Sequence, residues 1–425
     1  MRLRRSTSIL FTLLATSLVA TASEAQYRRA FVTSVWGTAD LSSWSDAEVG
    51  TTGLDAADSI CRARAAAGGL ANAQNFRAWM SDSLDDAWCR VQGLTGRRDD
   101  SCDGAPSLPG AGPWALVGSD VLWAESLAAL TSEAGPMLPL DRTELGTTIH
   151  SGDAIWTATD ETGRGIDPFE GGFCQDWTAA SAEVYAAAGA AYGTRPAWTA
   201  EYAAGCDSLR PLFCLEGAPA AARPPLATLA PAALAFVTDA VGSADLGSWP
   251  QAAPLTGLAA ADAICRSEAA ARRLPHADAF VAFVSTSAAS VRSRLPDDIG
   301  WVRLDGERVA DSLDDLLDGT LAAPISITPA GRTLPLVGSA GGAVWTGTGY
   351  DGLPAEDLDC AGWTDGTDNG MALAGRPDTI AANWTDSQPA FCSSELPIYC
   401  LGTVEMLFWS GFETGSTVSW SLAAE

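Results

Sequence analysis

The chain repeats itself. Residues 31–44 read FVTSVWGTADLSSW and residues 236–249 read FVTDAVGSADLGSW, at an offset of 205. The match continues at 204, with residues 54–61 (LDAADSIC) against 258–265 (LAAADAIC) and 76–83 (FRAWMSDS) against 280–287 (FVAFVSTS). It resumes at 189 with Ile155-Trp156-Thr157 against Val344-Trp345-Thr346, then at 186 with Cys174, Cys206 and Cys214 against Cys360, Cys392 and Cys400. Offsets that drift in small steps describe one fold carried twice, with insertions confined to loops. Any element assigned in one copy must therefore also work in the other.

Ten cysteines are spread through the 425 residues without one C-x-x-C pair. That spacing argues for disulfides in an oxidising compartment and against metal or redox cysteines. The expected leader agrees. Residues 1–25 join an arginine-bearing start, the apolar run 9–20 (ILFTLLATSLVA) and a small-residue end, the pattern of a secretory signal peptide. A run of that length is too short to span a bilayer, and no later stretch is longer, so no transmembrane span is expected. Two domains follow, at 27–216 and 235–402. Between them lies a Pro/Ala-rich spacer, 217–234, and a tail, 403–425, lies outside both repeats.

Four cysteines per copy share their spacing: Cys61, Cys174, Cys206 and Cys214, then Cys265, Cys360, Cys392 and Cys400. Four cysteines admit three connectivities, and spacing does not choose among them. Cys89 and Cys102 exist only in copy one. They sit in an insertion that lengthens the stretch between Phe76 and Trp156 by 15 residues. The simplest expectation is that they bond to each other and close the segment 97–103 (RRDDSCD) into a compact excursion.

Phe31-Val32-Thr33 and Phe236-Val237-Thr238 are β-prone openings. Leu54, Ala57, Cys61 and Ala65 recur at helical spacing, as do Leu258, Ala261, Cys265 and Ala269, which places each cysteine on a buried stripe. Ser312, with Asp315 three residues on, predicts a capping box and a second helix; Ser126 stands at the related place without the acid. Long Gly-, Asn- and Asp-rich loops follow. The expected class is α+β with long loops.

At this point the residues resemble a known family. A cysteine-bearing helix is followed by Phe-Arg-Ala-Trp-Met-Ser (76–81), by DSLDDLLDGTLAAPI (311–325) and by VWTGTGYDG (344–352). Then come Cys174/Trp177 and Cys360/Trp363, each with a cysteine 32 residues on and another eight further. The pattern is similar to the C-terminal endostatin domain of collagens XV and XVIII and its bacterial relatives, over roughly 31–216 and 236–402. The resemblance implies tandem C-type-lectin-like folds stapled by nested bridges: Cys61–Cys214 outside Cys174–Cys206, and Cys265–Cys400 outside Cys360–Cys392. Chain entropy values such bridges at about 5 kcal/mol (outer) and about 3.5 kcal/mol (inner).

The family's metal and heparin sites do not carry over. No histidine stands at the zinc positions, and a net charge of −27 repels heparin-like polyanions, nucleic acid and anionic lipid heads. Calcium-lectin loops are only hinted at by Trp384-Thr385-Asp386 and Gln388-Pro389, in the wrong order. Residues 365–370 (DGTDNG) imitate a calcium loop but fail at Thr367 and Arg376. No metal or other cofactor is expected. His150 and His276 stand beside no reactive cysteine or serine motif and at non-equivalent places.

Six tryptophans recur at fixed distances from cysteines: Trp156, Trp177 and Trp198, then Trp345, Trp363 and Trp384. They are candidates for ligand stacking or, as their spacing favours, for core packing around the inner bridge. Asn383-Trp384-Thr385 is a formal glycosylation sequon. The tail segment 406–420 (MLFWSGFETGSTVSW) is either a sorting signal or a strand docking on copy two. The expected function is that of an exported, non-enzymatic binding or adhesion protein for a glycan or an extracellular protein. A structural envelope protein is the alternative, and a carboxylate-based hydrolase a third reading.

Overall fold

The computed structural model describes residues 28–104, 111–119, 121–132, 135–136, 138–149, 153–168, 172–194, 197–217, 231–334 and 342–406. The expected leader, most of the spacer, the tail beyond 406 and His150 lie outside the described residues. Copy one contains strands β1 (Arg28–Val32), β2 (Phe76–Ala78), β3 (Trp114–Leu116), β4 (Leu122–Ala124), β5 (Ala154–Trp156), β6 (Tyr185–Ala190), β7 (Tyr202–Gly205) and β8 (Phe213–Glu216). Copy two contains β9 (Ala233–Val237), β10 (Phe280–Ala282), β11 (Trp301–Arg303), β12 (Arg308–Ala310), β13 (Val344–Trp345), β14 (Met371–Gly375), β15 (Gln388–Phe391) and β16 (Tyr399–Gly402). The main sheet β2-β8-β1-β3-β4 recurs as β10-β16-β9-β11-β12, and the small sheet β5-β6-β7 recurs as β13-β14-β15. The molecule is mixed α+β with several small sheets.

In each copy the first and last strands are neighbours. β1 pairs antiparallel with β8, Phe31 opposite Cys214, and β9 pairs with β16, Phe236 opposite Cys400. The strands open earlier than Phe31 and Phe236 suggest. β9 starts at Ala233, inside the expected spacer, because all five of its residues are buried and three of them pair with β11. The chain past Gly402 also belongs to this fold as far as Met406, whose N–H donates to Ala232 O at 2.9 Å.

The helices Gly53–Ala67 and Gly257–Ala271 lie against these sheets. Their apolar stripes are buried as the spacing predicts, except that Leu258 is half-buried. Cys61–Cys214 and Cys265–Cys400 pin each helix to the last strand of its copy. A buried carboxylate on each helix ties down the next strand. Asp58 accepts the N–H of Ala78 at 2.9 Å and guanidinium bonds from Arg77 and Arg90, and Asp262 does the same for Ala282 and Arg294. Ser312 caps a helix of one turn only, Leu313–Leu316. Asp315 passes over the N-cap and takes the N–H of Asp311 at 2.6 Å, so the box is half formed.

The inner bridges, Cys174–Cys206 and Cys360–Cys392, fasten the small sheets, and Cys89–Cys102 closes the insertion. Each inner bridge starts from a left-handed turn: φ is +53° at Cys174, +55° at Gln175, +53° at Asp176 and +63° at Trp177, with +48° at Cys360 and +65° at Trp363. Left-handed backbone costs about 1–2 kcal/mol per non-glycine residue. Burial of the tryptophan that closes each turn and the covalent bond offset that cost. The small sheets also require glycine: a Cβ on Gly189 or Gly375 would lie 2.0 Å from the carbonyl oxygen of Trp198 or Trp384.

The two copies meet through equivalent residues. At the offset of 186, Tyr192, Gly193 and Thr194 correspond to Asp378, Thr379 and Ile380. Gly193 forms an antiparallel bridge with Thr379, its own counterpart. Thr194 N–H donates to Asp378 O at 2.7 Å, and Ile380 N–H donates to Tyr192 O at 3.2 Å. These bonds exchange under a pseudo-two-fold axis, the pattern of an isologous dimer contact. Arg376 of copy two breaks the symmetry: it pairs with Glu201 of copy one and, through Nε at 3.0 Å, with Asp378. Ala323 of copy two sits in the core of copy one.

Arg376→Ala leaves both carboxylates of this largely buried network without their cation and should weaken the coupling between copies by about 2–5 kcal/mol. Calorimetry of the full chain is expected to show one unfolding transition separating into two. A variant that still melts as the parent does would contradict the assignment.

Candidate functional site

All six recurrent tryptophans are enclosed, none more than 1 % exposed. The ligand-stacking reading of Trp156, Trp177, Trp198, Trp345, Trp363 and Trp384 is therefore corrected: these rings are core. Trp156 Nε1 donates to Gly37 O at 3.1 Å and Trp177 Nε1 to Ser81 O at 2.7 Å; Trp345 and Trp363 do the same to Gly242 O and Ser285 O. The indole N–H groups of Trp198 and Trp384 are buried without a partner among the described residues. Ring pairs Trp156–Trp177 and Trp345–Trp363 stand edge to face beside the inner bridge.

A signal in the sequence went unread at these positions: every one of the six tryptophans is followed by threonine. Thr157, Thr159 and Thr199 hold three strands of backbone together inside copy one. Thr157 Oγ1 donates to Thr199 O at 2.6 Å, Thr199 Oγ1 to Thr159 O at 2.9 Å, and Thr159 Oγ1 to Thr157 O at 2.8 Å. Thr346, Thr348 and Thr385 repeat the ring in copy two. The hydroxyls are fully enclosed, so their chemistry is structural.

The remaining candidates separate. Asp365 accepts the N–H of Thr367 and Asp368 bonds Ser393, which makes residues 365–370 a self-satisfied turn. Trp384 and Thr385 are buried while Gln388 is exposed on β15, so the lectin-like hints do not converge. Among the described residues no group of three or more His, Cys, Asp or Glu is arranged to hold a metal. His276 sits in left-handed backbone (φ +51°) and lines an open depression with Arg266, Ala270, Ala277 and Asp278. Asn383 of the sequon accepts a bond from Thr379 Oγ1 at 3.2 Å.

What reaches solvent is a set of apolar side chains at loop and strand ends. Trp36 and its counterpart Val241 are exposed, as are Tyr185 and its counterpart Met371. In copy two Met371 pairs across the sheet with exposed Phe391, where copy one has Gly205. Tyr350 and Leu353 stand on a turn of copy two.

Among the acids, Glu307 differs most from its ordinary state. It occupies the place of Val121, at the mouth of the β11–β12 hairpin. Burial pushes its carboxyl up from 4.5 to about 7, with Asp305 adding to the rise and Arg303 opposing it. The fold thus favours the protonated form. The associated stability is fully present below about pH 4.5 and is lost as pH climbs to about 7. Glu307→Gln should leave the melting temperature of copy two unchanged near about pH 4 and raise it by roughly 2–4 °C near about pH 8. Thermal scans across that range check the sign.

Comparison with known proteins finds no matching family model and no matching curated protein.

Proposed function

We propose that this chain is an exported, non-enzymatic binding or adhesion protein that engages a glycan or an extracellular protein through the exposed loop ends of two lectin-like domains. The observation that carries this reading is duplicated exposure. Trp36 and Val241, 41 % and 51 % exposed, and Tyr185 and Met371, 46 % and 37 %, keep large apolar side chains at the surface in both copies. Single exposed apolar residues are ordinary, whereas the same positions left exposed twice on a cross-linked scaffold suit ligand contact. The lectin-like fold is supported by the pairing of first and last strands and by the helix-to-last-strand bridge in each copy. Export is supported by five disulfides, which belong in an oxidising compartment, and no described helix is long and apolar enough to cross a membrane.

The two surfaces are held in one rigid arrangement by the pseudo-two-fold contact, so a repeating ligand gains from engaging both. The full oxidised chain is expected to capture members of a panel of immobilised glycans and matrix proteins. The double variant Trp36→Ser/Val241→Ser should bind about tenfold more weakly. Uniform blanks across the panel would sink the binding reading.

A further inference from the structure

The two copies carry one turn that they treat in opposite ways. Residues 159–165 and 348–354 superpose at an offset of 189, with the same backbone bonds. Gly163 N–H donates to Asp160 O at 2.9 Å and Gly352 N–H to Gly349 O at 3.0 Å. Asp160 N–H donates to Arg164 O at 2.8 Å and Gly349 N–H to Leu353 O at 2.9 Å.

In copy one the insertion closed by Cys89–Cys102 folds over this turn. Trp88 N–H donates to Gly163 O at 3.1 Å, and Arg98 donates to the carbonyl of Thr162. The Arg98 guanidinium lies 5.1 Å from the centre of the Trp88 ring. Asp86 accepts from Gly165 N–H, Arg97 Nη1 and Arg98 N–H, each at 2.7 Å. A disulfide-closed segment with two adjacent arginines thus occupies the face.

Copy two lacks the insertion, and its turn stands open. Tyr350 and Leu353 are half exposed there. The Tyr350 ring passes over Gly319, where an added Cβ would meet Cδ2 at 3.5 Å. Around them the residues have become acidic. Asp351, Asp386 and Asp314 stand at the places of Thr162, Ala200 and Ala128. Arg292, at the place of Trp88, donates to Asp314 at 2.9 Å and to the carbonyl of Asp351 at 3.4 Å. That carbonyl is the counterpart of the Thr162 oxygen taken by Arg98, so the turn receives a guanidinium in both copies. Among the described residues neither Asp351 nor Asp386 has an ion-pair partner. Burial, with Asp351 nearby, raises the carboxyl of Asp386, as expected of an acid set in place before its cation arrives.

We propose that the open face of copy two, formed by Tyr350, Asp351, Leu353, Asp386 and Asp314, docks an arginine-bearing segment of a partner protein where copy one is filled by its own Arg97–Arg98 loop. The inference rests on the binding reading above and names its partner class. Copy one shows the mode: guanidinium groups against a turn carbonyl, an aromatic ring and carboxylates. Charge complementarity supplies the choice of partner and a strong salt dependence.

The probe is a fluorescent, disulfide-closed peptide of residues 89–102, titrated with the full oxidised chain and followed by anisotropy. One saturable site is expected, weakened about tenfold by Asp351→Asn/Asp386→Asn, by Tyr350→Ala, by high salt, or by replacing both peptide arginines with glutamine. The substituted side chains are at the surface, and unchanged near-ultraviolet dichroism verifies the fold. Equal binding of the arginine and glutamine peptides, or binding indifferent to all the face variants, overturns the proposal. Trp36→Ser/Val241→Ser should leave peptide binding intact. Panel capture that survives the Asp351/Asp386 variant, together with a silent peptide, overturns this inference and keeps the binding reading; a bound peptide with a blank panel supports this inference alone.

Discussion

Each copy is closed by the contact of its two ends. The first strand lies beside the last, and a disulfide runs from the helix between them into that last strand. This arrangement decides what can vary. With β1, β8 and the helix fixed, the long stretch from Ala78 to Phe213 is a loop system held at both ends, and insertions there need not disturb the main sheet. The 153-residue separation of Cys61 and Cys214 places most of copy one inside a single covalent ring. Within that ring a second, 32-residue bridge holds the small sheet and its left-handed turn.

The duplicated fold keeps its requirements and changes the residues that meet them. In copy one Glu144 accepts the N–H of Ser34 at 2.9 Å and pairs with Arg64 of the helix. In copy two the helix carries Glu268 at the place of Arg64, and that acid takes the N–H groups of Asp239 and Ala240 at 3.2 and 3.1 Å. The need to satisfy a backbone donor at the end of the first strand is the same, while the acid arrives from a different element. The turn at 159–165 and 348–354 follows the same logic: one carbonyl, one guanidinium, two sources.

The contact between copies is the arrangement that two identical subunits would use. Equivalent loops pair through equivalent backbone atoms, so a fold able to pair with itself needs only a tether to become a fixed pair. Arg376 makes the contact specific to this chain, since its counterpart in copy one is Ala190. The consequence for function is geometric: the two exposed faces are held at a set relation, and one of them is covered by its own copy's insertion.

The sequence by itself determined the duplication, the helical stripes around Cys61 and Cys265, the α+β class and the acidic character, because these follow from periodicity, composition and self-comparison. The partner of Cys89 was also legible, since two extra cysteines in one extra loop have little else to meet. Tertiary structure decided the rest. Trp156 and its five counterparts offered stacking and packing equally in one dimension, and only enclosure on all sides, with threonine hydroxyls knitting the neighbouring backbone, made them core. The two roles of the 159–165 turn could not be read from its own residues, because what covers it in copy one comes from 60 to 70 residues upstream. Local pattern reports the preferences of a segment; which surfaces remain open depends on what long-range folding brings to rest on them.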